Sequence, residues 1–186
     1  MIEQELLLDC VRRLNRTGAG YMLTGSMASN AWGIPRTTHD LDFVLQLPPS
    51  QIPSLVAAFA SPDYFLDEAA IRSAYQPPHQ FNLIHVPSAL KADFWLLRPV
   101  PFEREMFSRR VKDVWFGETI WLATALHKLH WNRISPSDRQ LADVGGVIEV
   151  QRGKLDEAYL RSWAAELGLV AELDGALSGA FKPKQT

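Results

Sequence analysis

Leu23-Thr24-Gly25-Ser26, then thirteen residues, then Asp40-Leu41-Asp42-Phe43 is the stretch on which the reading of this 186-residue chain turns. Tyr21 to Thr24 is a short apolar run between glycines, which predicts a buried strand. Gly25 lacks a Cβ and lets the backbone approach a ligand closely. Ser26 opens a short predicted helix that ends at Gly33-Ile34-Pro35. The free N–H groups and the positive dipole end of such a helix favour phosphate. From Asp40 to Leu47 the pattern alternates, with Leu41, Phe43, Leu45 and Leu47 on one face and Asp40, Asp42, Val44 and Gln46 on the other. Asp40 and Asp42 then project together, about 6–7 Å apart along the strand, and repel unless something cationic sits between them. Mg²⁺ takes one or two carboxylates plus substrate phosphates, so it is the natural candidate.

A third acid completes the expectation. Asp93 is the sole carboxylate in the apolar run Leu90 to Leu97. A charge there must be exposed on one face or paired. A neighbouring strand would bring it beside Asp40 and Asp42, and three carboxylates can hold two divalent cations. Pairing of Asp93 with Lys91 or an arginine is the alternative. Arg36 reads either as a phosphate ligand or as a loop surface charge. Lys128 reads either as a phosphate ligand or as a solvated helical lysine.

Around this centre, helical spacing of Leu6, Leu7, Cys10, Val11 and Leu14 predicts a helix over 3–14. Further helices are predicted at about 51–60 and 65–75, strands at 81–86 and 90–97, a short helix at 103–107 and a hairpin around Phe116-Gly117. From Leu122 the period is helical, with helices at about 137–151, 156–167 and 170–177 and a frayed tail from Phe181. The expected architecture is mixed α/β, a sheet flanked by helices with a helical C-terminal region. The expected parts are a core over 1–121, the helical region over 122–180 and a tail over 181–186.

Composition limits the partners. Lys+Arg 19 against Asp+Glu 21 gives a net charge of −2, which excludes a dominant basic field for nucleic acid but not a local patch. One cysteine forms no internal disulfide, which fits a reducing cytosol, and the acidic start Met1 to Glu5 does not read as a signal peptide. Two uncharged runs, Thr17–Pro35 and Phe43–Pro62, are broken by glycines or prolines and do not read as membrane spans. His127 and His130 are three apart without further Cys or His, so surface or core histidines are favoured over zinc. The six tryptophans read mostly as core anchors.

The Gly25-Ser26 and Asp40-Leu41-Asp42-Phe43 motifs resemble the signature of nucleotidyltransferases related to DNA polymerase β, with the spacer at its long end. Arg36-Thr37-Thr38-His39-Asp40-Leu41-Asp42 is similar, more narrowly, to the Arg-x-Thr-x-Asp pattern of bacterial minimal enzymes of the abortive-infection toxin type and their uncharacterised relatives. Lys128-Leu129-His130-Trp131 and Ser137-Asp138-Arg139-Gln140-Leu141-Ala142-Asp143 look like their later helices. The resemblance spans most of 20–167. It implies transfer of a nucleotidyl group from an NTP to an acceptor hydroxyl or phosphate, with two Mg²⁺ ions. Asp40, Asp42 and Asp93 would be metal and catalytic residues, and Gly25, Ser26, Arg36 and Lys128 would hold the nucleotide. The acceptor would be RNA, such as a tRNA end, or a protein in a toxin setting with an antitoxin-like partner, in the cytoplasm. An RNA acceptor would use Arg104, Arg109, Arg110 and Lys112. A small-molecule modifier of the antibiotic type is the alternative. A nucleotide- or partner-binding module without catalysis is another, favoured by a lead-in to Lys128 about one turn shorter than in relatives.

Overall fold

The computed structural model describes residues 1–125 and 138–180. Helix α1 (Glu3–Thr17) leads into β1 (Gly20–Leu23), α2 (Gly25–Trp32) and β2 (Leu41–Gln46). A 3₁₀ turn at Pro49–Gln51 precedes α3 (Ile52–Ala58), β3 (Tyr64–Phe65), α4 (Glu68–Ser73), β4 (Gln80–His85) and β5 (Leu90–Leu96). Then come α5 (Pro101–Ser108), β6 (Val111–Trp115), β7 (Glu118–Leu122), α6 (Asp138–Val150), α7 (Glu157–Leu167) and α8 (Val170–Leu177). The fold is mixed α/β. The predicted helix over 65–75 divides, with Tyr64–Phe65 joining the sheet edge and only Glu68–Ser73 helical after an Asp67 N-cap that accepts from Ala69 N–H. Residues 122–125 continue from a strand and are not helical, so the helical period sets in later than predicted.

Seven strands form one sheet in the order β3-β4-β5-β2-β1-β7-β6. β2 runs antiparallel to β1 and parallel to β5, and β1 runs parallel to β7. The two-residue period sorts side chains onto two buried faces. On one, Phe81, Phe94 and Phe43 stand in register across β4, β5 and β2, ring centroids 5.4 Å apart at each step, under Leu7, Val11, Ile52 and Leu55 of α1 and α3. Full burial of each such side chain stabilises the fold by about 1.5–3 kcal/mol. On the other face, Met22 and Val44 pack with Phe102, Met106 and Phe107 of α5.

That second face carries the candidate site. One residue along from the phenylalanine row, the same register places Asn82, Asp93 and Asp42 side by side. Thr24 joins this end of the row, since its N–H donates to the Asp42 carbonyl at 2.9 Å. The hairpin between β6 and β7 turns at Phe116 and Gly117, both with positive φ (51° and 82°). Helices α6, α7 and α8 bury their own cluster of Val144, Ile148, Leu160, Leu169 and Leu173. No helix among the described residues is long and apolar enough to cross a membrane.

Candidate functional site

The site lies where β1 ends, α2 begins and β2 starts. Gly25 has φ +60°, and a Cβ there would fall 2.1 Å from Asp42 Oδ2. Glycine is therefore required twice, for the left-handed conformation and for the space the Asp42 carboxylate fills. This contact joins the two halves of the sequence motif directly. Ser26, at the second position of α2, accepts a hydrogen bond from Arg36 Nη2 at 2.6 Å.

Asp42 and Asp93 are direct partners in the parallel ladder of β2 and β5, so their side chains leave the same face. Asp93 accepts from Lys91 Nζ at both carboxylate oxygens, 3.0 and 2.9 Å away. The Asn82 amide, in the orientation that satisfies both its ends, donates to Asp93 Oδ1 at 2.9 Å. The Lys91 ammonium is held above its ordinary pKa, first by its bonds to Asp93 and further by the charges of Asp93, Asp40 and Asp42. Asp40 is exposed just before β2, and its N–H donates to Thr38 Oγ1 at 3.3 Å. All three expected acids thus act on one ammonium. The pairing of Asp93 with Lys91, one of the two partners its sequence allowed, is present.

Arg36 is tied into the fold through both its side chain and its backbone. Its guanidinium grips Asp143 of α6, Nε to Oδ1 at 2.7 Å and Nη2 to Oδ2 at 3.0 Å. Asp143 is only 5% exposed, and its hydrogen bonds, foremost among the causes, push the Arg36 pKa upward. The Arg36 backbone is fixed as well, exchanging hydrogen bonds with the Asn30 side chain at 3.0 and 2.7 Å. Sequence reading placed Asp143 in a helix that resembles the relatives' but did not pair it with Arg36. The available signal was helical spacing: Asp143 and Val147 are four apart and share the buried side of α6, where an acid requires a partner.

Helix α2 is tied to α6 at its other end. A Cβ on Gly33 would meet Val147 N at 2.8 Å, and Gln151 Nε2 donates to the Trp32 carbonyl. Between them a crevice beside Gly25 is lined by Thr24, Ala28, Trp32, Thr124 and Val147. The buried Thr24 hydroxyl has no hydrogen-bond partner among the described residues.

Lys128 lies outside the described residues, as do His127, His130 and the tail. Of the four cations expected in an RNA groove, Arg109 stacks on Tyr159 with its guanidinium 3.7 Å from the ring centroid and bonds Glu105 at 2.7 Å. Arg110 lies over Phe107 and Trp121, and desolvation lowers its pKa. Among the described residues, Arg104 and Lys112 are exposed and make no such internal contacts.

The carboxylate oxygens are the hard donors that Mg²⁺ takes, and their field already holds a cation, so the donor chemistry fits a divalent ion. Among the described residues, no three His, Cys, Asp or Glu side chains are gathered closely enough to enclose one.

The fold is nucleotidyltransferase-like. An antigenic nucleotidyltransferase-like protein from Paracoccidioides brasiliensis superposes with a TM-score of 0.54 at 16% identity, covering 97% of this chain and 94% of its own. Two Helicobacter pylori chains match over 95% of this chain with lower TM-scores. One is described as a candidate nucleotidyltransferase (0.36, 16% identity, 93% of its own length), the other is JHP933 (0.35, 15% identity, 90% of its own length). No protein-family model matches the sequence, and no curated protein matches it.

Proposed function

We propose that the protein is a Mg²⁺-dependent nucleotidyltransferase that moves a nucleotidyl group from an NTP to an acceptor hydroxyl or phosphate. The observation that carries this reading is the register of Asp42 with Asp93, on the face where Gly25 makes room for the Asp42 carboxylate. Asp42 and Asp93, with Asp40 beside them, would hold the metal together with the substrate's phosphates, and the metal when bound supplies positive charge to the triphosphate and acidity to the acceptor oxygen.

The chain's own groups do the rest. The N–H groups opening α2 at Gly25 and Ser26 donate to phosphate oxygens. Ser26 accepts from Arg36, so its own hydrogen is left to turn toward the nucleotide. Arg36 is then a positioning residue, held by Asp143 and acting through Ser26. Lys128 joins the phosphate ligands on sequence grounds. Asp93 takes the acceptor's proton as the acceptor oxygen bonds to the α-phosphorus and the bond to pyrophosphate breaks. Low-dielectric surroundings strengthen these charges; Asp93 is 15% exposed.

The grip of Lys91 on Asp93 favours one second reading, a nucleotide-binding module without turnover, which would show Mg²⁺-dependent ATP or GTP binding and no transfer. The internal contacts of Arg109 and Arg110 weaken the case for RNA along that patch, and a toxin setting with an antitoxin-like partner stays a proposal from sequence resemblance. The test is incubation with each α-labelled NTP and Mg²⁺ in total RNA and cell extract. Label transferred to one class of acceptor is the expected result. Binding without label in any species would overturn catalysis in favour of the module.

A further inference from the structure

Lys91 was not among the residues expected to work, yet it grips one of the acids of the carboxylate face. Strand β5 places Lys91 and Asp93 two apart on one side, and Asp42 stands opposite Asp93 in the next strand. The ammonium meets both Asp93 oxygens, and Asp42 stands directly across the ladder from that acid. Such an arrangement has a physical cause. Acids gathered on one face repel, and Asp93 is 15% exposed, so without a counter-charge the face would be strained. A lysine on the same strand relieves that with no distant partner.

The same geometry makes the lysine removable. Its side chain is 52% exposed on a flexible four-carbon stem. Exposed ion pairs of this kind contribute little net free energy, so a better partner displaces the ammonium easily. A triphosphate arriving at Gly25 and Ser26 is such a partner, carrying more charge than one carboxylate. This contrasts with Arg36, whose acid is buried and whose backbone is pinned.

We propose that Lys91 is the resident counter-ion of the carboxylate face, holding Asp93 from a divalent cation until a nucleotide's triphosphate draws the ammonium away, so that metal loading follows nucleotide binding. The inference rests on the function proposed above. Lys91 is then a positioning residue with two successive partners, Asp93 in the resting protein and a phosphate oxygen in the loaded one.

The test measures Mn²⁺ binding by electron paramagnetic resonance and binding of a non-hydrolysable NTP analogue by calorimetry, on wild type, Lys91→Met and Lys91→Arg. Without nucleotide, Lys91→Met should bind Mn²⁺ about 2- to 5-fold more tightly than wild type, the range expected when an exposed ion-pair competitor is removed. With Mn²⁺ present, the same variant should bind the analogue more weakly. Lys91→Arg, which keeps the charge, should follow wild type for Mn²⁺ and control for folding. Opposite signs for metal and nucleotide are the signature, which a merely structural lysine would not produce. Equal Mn²⁺ affinity in wild type and Lys91→Met, or undiminished analogue binding, overturns the inference alone. No Mn²⁺ binding by either protein overturns the metal site of the proposed function, and the inference with it.

Discussion

Two cation–acid pairs flank the site, Lys91–Asp93 on the open sheet face and Arg36–Asp143 at the junction of the α2 region with α6. Each forms two short N–H···O contacts, at 2.9–3.0 Å for the lysine and 2.7–3.0 Å for the arginine. They differ in burial and in sequence distance. Lys91 and Asp93 are two residues apart, with the lysine half exposed; Arg36 and Asp143 are 107 apart, with the acid 5% exposed. A local, solvated pair lowers repulsion and can be traded for another partner. A remote, buried pair fastens the loop before β2 to the C-terminal helices and cannot be exchanged without loosening both.

The sharpest way to break that contrast is Asp143→Ala. It strands the Arg36 guanidinium in a partly buried place and should destabilise by about 3 kcal/mol. For a chain of this size that is a melting temperature lower by about 6–12 °C. Lys91→Met, measured alongside, should cost less than about 1 kcal/mol. Equal losses in the two variants would remove the distinction.

Gly25→Ala comes next. It imposes a left-handed conformation on a residue with a Cβ and drives that Cβ into the Asp42 carboxylate. The expected destabilisation is about 2 kcal/mol, from strain and contact together, and nucleotide binding should fall as Asp42 is displaced. A variant that binds nucleotide as wild type does would show that Asp42 need not pack on Gly25.

The smallest effect belongs to a pair more exposed than either. The Glu105 carboxyl is held below the usual carboxylate range, first by its hydrogen bond with Arg109, then by Tyr159. A depressed folded pKa contributes stability that is present above the unfolded value and lost as pH falls through the folded one. Melting of wild type followed from about pH 5 to pH 3 should therefore decline slightly more steeply than melting of Glu105→Gln. Parallel curves would show that the pair contributes nothing.

How much of this was legible in the sequence follows from the same contrast. The Gly25-Ser26 turn and the alternation through Leu41, Phe43 and Leu45 are local patterns, and the structure reproduces both elements. Asp93 was legible as a lone acid in an apolar strand, and its place beside Asp42 follows once β5 pairs in parallel with β2. The partner of Arg36 was not, because a contact across 107 residues leaves no local periodicity. Lys91 was visible as an alternative partner of Asp93, but that this pair faces Asp42 depends on strand order. The predicted helix over 65–75 is shortened to Glu68–Ser73 because Phe65, with Tyr64, pairs with Ile84 and His85 at the sheet edge, a tertiary choice overriding local spacing.

The central claim is that the face carrying Asp42 and Asp93 transfers nucleotidyl groups. The most direct measurement compares wild type with Asp42→Asn for transfer of α-labelled nucleotide in Mg²⁺, with thermal melting recorded on the same samples. The account predicts transfer lowered at least about 100-fold, since a removed metal ligand removes charge stabilisation at the reacting phosphate. Melting should stay within about 3 °C of wild type, the shift expected from about 1 kcal/mol or less. Transfer by Asp42→Asn at the wild-type rate would contradict it.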